Sequence, residues 1–306
     1  MDTERPSPRY EDIDLWEPAD VLEAMLEGQL AAVAAVRAAL PAIGRAQLAM
    51  EACLAECGRL IYAGAGTSGR LAAQDGAELL PTFGWPRERL LVLIAGGEKA
   101  LLHAVEGAED ESEYAVKLVA HHAIGGGDVL IAVAASGTTP FTVACMRAAK
   151  RNGALTIGIA NNLDTPLLRE AEHAIFLQTG AEPIAGSTRM NAGTAQRITL
   201  NLLSTLLMIR LGRVYRGLMV EVQAANMKLA KRKEDMLSYL TGRTRPHIQR
   251  ALAEADGNVK LAVLLLGGCD LETGRKLLTD ARGRLRIAVD AMHAAGRLAS
   301  RDHKQS

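Results

Sequence analysis

Five short apolar runs, spaced by segments long enough for helices, constrain this chain more than any other feature. They are Leu60–Ala63, Leu90–Ala95, Val129–Ala134, Leu155–Ala160 and Ala174–Leu177. A strand with one wet face alternates apolar and polar residues. A continuous apolar run between helices marks a strand covered on both faces, as in a parallel sheet. The pattern predicts an α/β fold with a doubly wound five-stranded parallel sheet. A long helix is expected after the fifth strand, from about Thr188 to Leu211.

The flanks read differently. Residues 1–18 are polar, contain Pro6 and Pro8, and are expected to form an extended arm. Residues 19–56 read as helical, Ala-rich from Leu30 to Leu40, with a break at Pro41. Beyond Pro246, short helices fit 247–255, 258–266, 271–281 and 284–297, punctuated by Gly257, Gly267, Gly268 and Gly283. The expected organisation is 1–56 as N-terminal arm and helices, 57–245 as the α/β domain, and 246–306 as a small helical bundle.

Composition narrows the function. Lys+Arg and Asp+Glu both number 35, so the net charge is zero. A nucleic-acid binder needs a basic surface to neutralise phosphates, so no nucleic-acid partner is expected, nor attraction to an anionic membrane. Cys53 and Cys57 stand at helical spacing without a second pair or a His cluster, so no metal is expected. The polar start shows no signal-peptide pattern. The longest apolar helical stretch is read as Leu200–Ile209, too short to span a bilayer. These features lead to the expectation of a cytoplasmic protein. An Ala-rich helix outside the main domain suits packing against a second subunit.

Two loops carry the chemistry. The first strand runs into Gly64-Ala65-Gly66-Thr67-Ser68-Gly69-Arg70, and the third into Ala135-Ser136-Gly137-Thr138-Thr139-Pro140. Each combines glycine with hydroxyls where a strand turns into a helix. Glycine admits close backbone approach, the helix N-terminus offers free N–H groups, and Ser and Thr add donors, which together suit a phosphate. In the strand order 2-1-3-4-5, strands 1 and 3 are neighbours at the switch point, where ligands bind at the carboxyl ends. The two loops then face each other across one crevice, and Gly186-Ser187-Thr188-Arg189 can join them. Thr67, Ser68, Ser136, Thr138, Thr139, Ser187 and Thr188 are the candidate substrate-binding residues.

Other readings compete. Gly64, Gly66 and Gly69 match the dinucleotide fingerprint, a weak signature alone, and one that leaves the second hydroxyl loop unexplained. No Lys-Ser/Thr follows, so a P-loop is excluded. Ser and Thr also cap helices as their ordinary work. Nothing in spacing alone singles out Glu78 or Glu109 among the acidic residues nearby.

At these residues the chain resembles a known family. Gly64–Arg70, Ile94–Glu98, Ala104–Asp110, Gly186–Gln196 and Met208–Tyr215 look like the N-acetylmuramic acid 6-phosphate etherases, over nearly the whole chain. The resemblance implies a sugar isomerase (SIS) fold, flavodoxin-like in strand order. It also implies a cytoplasmic homodimer of cell-wall recycling that needs no metal or other cofactor and acts on a small sugar phosphate. The implied reaction removes D-lactate from the substrate to give N-acetylglucosamine 6-phosphate. By the same resemblance Glu78, in Asp75-Gly76-Ala77-Glu78, is the catalytic acid and Glu109 the base. The family usually has Arg where Thr138 stands and Lys where Asn191 stands, two differences expected to bear on recognition of the substrate's carboxylate. Arg70 and Arg189, beside the phosphate loops, are candidates to compensate. A non-catalytic sugar-phosphate sensor and a sugar-phosphate isomerase are the alternatives on the same scaffold.

Overall fold

The computed structural model describes residues 1–222 and 227–302. The chain opens on three single 3-10 turns, Asp2–Glu4, Pro8–Tyr10 and Ile13–Leu15. The arm is thus folded rather than extended, and Thr3 has no exposed surface. Helix α1 follows as one piece, Pro18–Leu54, with Pro41 inside it. The expected break does not occur. Proline removes one helical hydrogen bond at a cost of about 3 kcal/mol, and burial of Ala39, Ile43, Ala46 and Met50 opposes that loss.

The sheet comprises β1 (Leu60–Gly64), β2 (Leu90–Ile94), β3 (Val129–Val133), β4 (Leu155–Ala160) and β5 (His173–Phe176). Its order is β2-β1-β3-β4-β5 and every pairing is parallel. All residues of β1 and β3 are buried, as continuous apolar strands at the centre of a covered sheet require. The connecting helices are α2 (Gly66–Phe83), α3 (Ser112–His121), α4 (Pro140–Arg151) and α5 (Pro166–Glu170). After β5 comes α6, Asn191–Arg210. Residues 188–190, where the helix was expected to start, form a turn instead.

Two compact units result: residues 1–78 with 86–207, and residues 79–85 with 208–306. The chain divides here rather than at the composition changes near 56 and 245. In the first unit, Ile61, Leu130, Phe141 and Met146 belong to the core of the sheet and its helices, and α1 packs along β3, β4 and β5. The second unit holds the hairpin β6 (Val214–Tyr215) and β7 (Leu218–Met219). Its helices are α7 (Met227–Thr241), α8 (Arg245–Glu254), α9 (Val259–Leu266), α10 (Leu271–Asp280) and α11 (Leu285–Asp302). Arg213 ties residues 79–85 to this unit. It donates to the Phe83 and Gly84 carbonyls at 2.9 and 2.8 Å and lies 5.2 Å over the Trp85 ring. Lys260 is buried there, ion-paired with Glu221 and donating to the Gly283 carbonyl at 2.6 Å. Burial holds its ammonium below the ordinary lysine range, against the pull of Glu221.

One sequence expectation needs correction. The helix most suited by length and composition to cross a bilayer is α1, not the Leu200–Ile209 segment, and 33% of its apolar window is buried in the protein. Its exposed apolar residues include Leu22, Leu26, Leu30, Val33, Leu40 and Leu48. At about 100° per residue they fall within an arc of roughly 80° on the helix surface, a stripe shared with Arg37.

Candidate active site

The turn from β1 into α2 is built on close backbone contact. A Cβ on Gly64 would stand 2.9 Å from Gly69 Cα, and one on Gly69 would stand 2.8 Å from the Gly64 carbonyl oxygen. Gly66 has φ +52°. Two of the three glycines of the apparent dinucleotide fingerprint therefore serve the packing of strand end against helix start. Thr67 and Ser68 sit between them on the first turn of α2, with Ser68 buried.

The turn from β3 into α4 is the second wall. Gly137 has φ +68° and packs directly against Thr165. Ser136 Oγ lies 3.1 Å from Thr139 Oγ1 and accepts a hydrogen bond from the Thr138 amide at 3.2 Å. Thr139 occupies the N-cap position of α4 yet makes no side-chain capping bond, and Pro140 fills the first helical position. At this helix, capping does not account for the hydroxyls.

Both loops open on one cavity of about 340 Å³ at the carboxyl ends of β1 and β3. Thr67, Ser68, Ser136, Thr138, Thr139 and Thr188 all line it. Ser187 does not: it forms the turn before α6, its amide donating to the Ile184 carbonyl at 2.9 Å. Glu109 lines the cavity from a 3-10 turn, Ala108–Asp110, that follows Gly107 at φ +72° and is anchored by buried Ala108. Glu109 also borders an adjoining cavity of about 310 Å³ that includes Arg70.

Glu78 is not among the residues lining either cavity, and it is exposed. At about 1.5 Å per residue, it stands roughly 18 Å along α2 from Gly66. Its companion Asp75 is buried instead, accepting from the Tyr62 hydroxyl at 2.7 Å and from Ser204 Oγ at 3.2 Å. Of the two family differences, Thr138 lines the cavity and Asn191 does not. Asn191 is buried beneath α1, accepting from Gln29 Nε2 at 3.0 Å and packed on Gly28. Arg70 donates to the Ala100 and His103 carbonyls at 2.8 and 3.1 Å, and Arg189 borders neither cavity.

Two acidic residues escaped the sequence reading. Glu182 has no exposed surface and accepts from the Asn191 and Ala192 amides at 2.8 and 2.9 Å, capping the start of α6. Burial raises its carboxyl above the ordinary range, opposed by those two amides. Glu4 lines the cavity between the two hydroxyl loops from the N-terminal arm.

The profile of the glucokinase regulatory protein N-terminal SIS domain matches residues 43–150, and that of the SIS domain matches residues 111–206. An N-acetylmuramic acid 6-phosphate etherase of Deinococcus radiodurans is 46% identical over 299 residues, 97% of this chain and 98% of that protein. One of Streptomyces avermitilis is 41% identical over 292 residues, 95% of this chain and 94% of that protein. A phosphoheptose isomerase structure from Francisella tularensis superposes with a TM-score of 0.49 at 22% identity, covering 63% of this chain and 98% of that one. The chain belongs to the N-acetylmuramic acid 6-phosphate etherase family.

Proposed function

We propose that this protein cleaves the D-lactyl ether of N-acetylmuramic acid 6-phosphate by elimination and water addition, releasing D-lactate and N-acetylglucosamine 6-phosphate. The observation that carries the reading is the meeting of two Ser/Thr loops and Glu109 around one cavity in a chain of the etherase family. The hydroxyls and the N-termini of α2 and α4 hold the phosphate, as partial positive charge and hydrogen-bond donors suit an anion.

Opening of the sugar ring exposes the C1 aldehyde and acidifies the C2 proton. Glu109 takes that proton. The electron pair forms the C2–C3 double bond as the C3–O bond breaks, and an acid protonates the departing lactyl oxygen, the role that the family resemblance gives to Glu78 although it lines neither cavity here. Water then adds at C3 of the unsaturated aldehyde and a proton returns to C2. A poor alkoxide leaving group and a carbon acid both call for general acid–base groups.

The protein acts in the cytoplasm as a homodimer, with the exposed leucine stripe of α1 covered by a second copy. A stripe of this kind left in water is the ordinary signature of an interaction face. Incubation with N-acetylmuramic acid 6-phosphate should release lactate in step with N-acetylglucosamine 6-phosphate. Absence of both products, with the protein folded, overturns the assignment.

A further inference from the structure

The N-terminal arm brings a third carboxylate to the cavity, and it is held there by more than chance contact. Asn162, itself buried, accepts from the Asp2 and Thr3 amides at 2.7 and 3.4 Å. Its Nδ2 donates to Thr3 Oγ1 and to the Ala135 carbonyl, both at 2.9 Å. The Gly186 amide donates to the Thr3 carbonyl at 3.0 Å. Fully buried Thr3 is therefore tied directly to the loop after β4 and to the glycine opening the Ser187-Thr188 loop, and through Asn162 to the residue preceding Ser136. The next side chain, Glu4, lines the cavity, and its Oε2 lies 2.9 Å from the point where a Cβ on Gly186 would stand. Any larger residue at 186 would push this carboxylate aside.

The charges lining the cavity are all of one sign. They are Glu4, Glu109 and Asp110, and among the described residues no lysine or arginine lines it. Carboxylates repel a phosphate dianion and a lactyl carboxylate alike, so the hydroxyl loops take the phosphate end and the carboxylates face the neutral sugar ring and its N-acetyl group. There a carboxylate is a strong acceptor for sugar hydroxyls or an amide N–H.

We infer that Glu4 is a substrate-binding residue that accepts hydrogen bonds from the sugar body of the bound phosphosugar, and that it selects phosphosugar over free phosphate. The inference rests on reading this cavity as the phosphosugar site. Calorimetry with N-acetylglucosamine 6-phosphate and with inorganic phosphate, on the native protein and on Glu4→Gln, tests it. The exposed Glu4 side chain leaves the fold of the variant intact, which a native melting temperature verifies. Affinity for the sugar phosphate should fall about 10- to 100-fold, the range for a lost hydrogen bond to a charged group, while affinity for inorganic phosphate stays the same or rises. Thr3→Val removes the Asn162 Nδ2 to Thr3 Oγ1 bond and keeps the backbone bonds of the arm, so it should weaken the sugar phosphate in the same selective way but by less than Glu4→Gln. Equal sugar-phosphate affinity in native and Glu4→Gln proteins overturns the role of Glu4 alone, as do equal losses for both ligands. A native protein that binds neither ligand overturns the cavity reading and the role of Glu4 with it.

Discussion

The Tyr62 hydroxyl donates a 2.7 Å hydrogen bond to the Asp75 carboxylate, joining the centre of β1 to the buried face of α2. Ser204 Oγ adds a second bond to the same carboxylate at 3.2 Å. Burial still pushes the Asp75 carboxyl above the ordinary aspartate range, against the lowering effect of Tyr62, Ser204 and Arg197. Tyr62→Phe removes a donor to a buried acid and should cost about 1.5–3 kcal/mol of stability, read by urea unfolding. A variant as stable as the native protein would show that the pair carries no net energy.

The same carboxylate sets a pH dependence. Because its folded value is raised, the folded state binds the proton more tightly than the unfolded chain does. Its contribution to stability is therefore fully present below the ordinary aspartate value and is lost as pH rises through the raised one. Asp75→Asn has no such proton. The stability difference, native minus Asp75→Asn, should be larger at pH 4 than at pH 7 in paired urea titrations. A difference that stays constant or grows toward neutrality contradicts this linkage.

The switch-point hydroxyls should govern phosphate affinity without supporting the fold. Ser68 and Ser136 line the cavity from opposite loops. The double variant Ser68→Ala, Ser136→Ala should bind the sugar phosphate more weakly by roughly 1.5–3 kcal/mol for each hydrogen bond lost to a charged group. Calorimetry decides it, and an unchanged affinity removes these two residues from the site.

How much of this was legible in the sequence depended on the range of the interactions. The strands were readable because burial on both faces writes itself into consecutive residues: Val129–Val133 and Leu155–Ala160 stand where the apolar runs put them. The hydroxyl loops were readable because glycine and Ser/Thr cluster within a few positions. The folded arm was not, since Thr3 is buried by Asn162, a residue 159 positions away. Glu182 was missed for a related reason: it caps α6 from nine positions before Asn191, outside the usual capping spacing. The cavity position of Glu4 had no local signal either, because it depends on that long-range anchor. Pro41 misled because helix propensity is a local quantity, whereas the packing of α1 on the sheet is not.

The leucine stripe of α1 makes the oligomeric state testable. Leu26 and Leu30 are 54% and 63% exposed in a single copy. Light scattering at micromolar concentration should report twice the 32.6 kDa chain mass. Leu26→Glu with Leu30→Glu puts two like charges into the stripe and should yield the single-chain mass while the fold, followed by circular dichroism, is retained. A native protein that scatters as one chain and keeps its activity refutes the homodimer.

The two glutamates assigned to catalysis should separate into distinct kinetic steps. Glu109 lines the cavity, whereas Glu78 is exposed further along α2, so one position is already suited to meet a ligand in this chain and the other is not. If Glu109 takes the C2 proton and Glu78 protonates the leaving oxygen, removal of each should leave a different remnant of the reaction. Proton abstraction comes first and is reversible. Glu78→Gln keeps its base, so it should still exchange the C2 proton with deuterated solvent while lactate release falls by about 10²–10⁴. Glu109→Gln should lose exchange and elimination together. Mass spectrometry for deuterium at C2, beside an assay for lactate, reads both at once. Normal exchange in Glu109→Gln with none in Glu78→Gln reverses the two roles. Native lactate release from Glu78→Gln, with Glu109→Gln inactive, removes Glu78 from the chemistry, and the acid must then be sought among the carboxylates that line the cavity itself, Glu4 and Asp110.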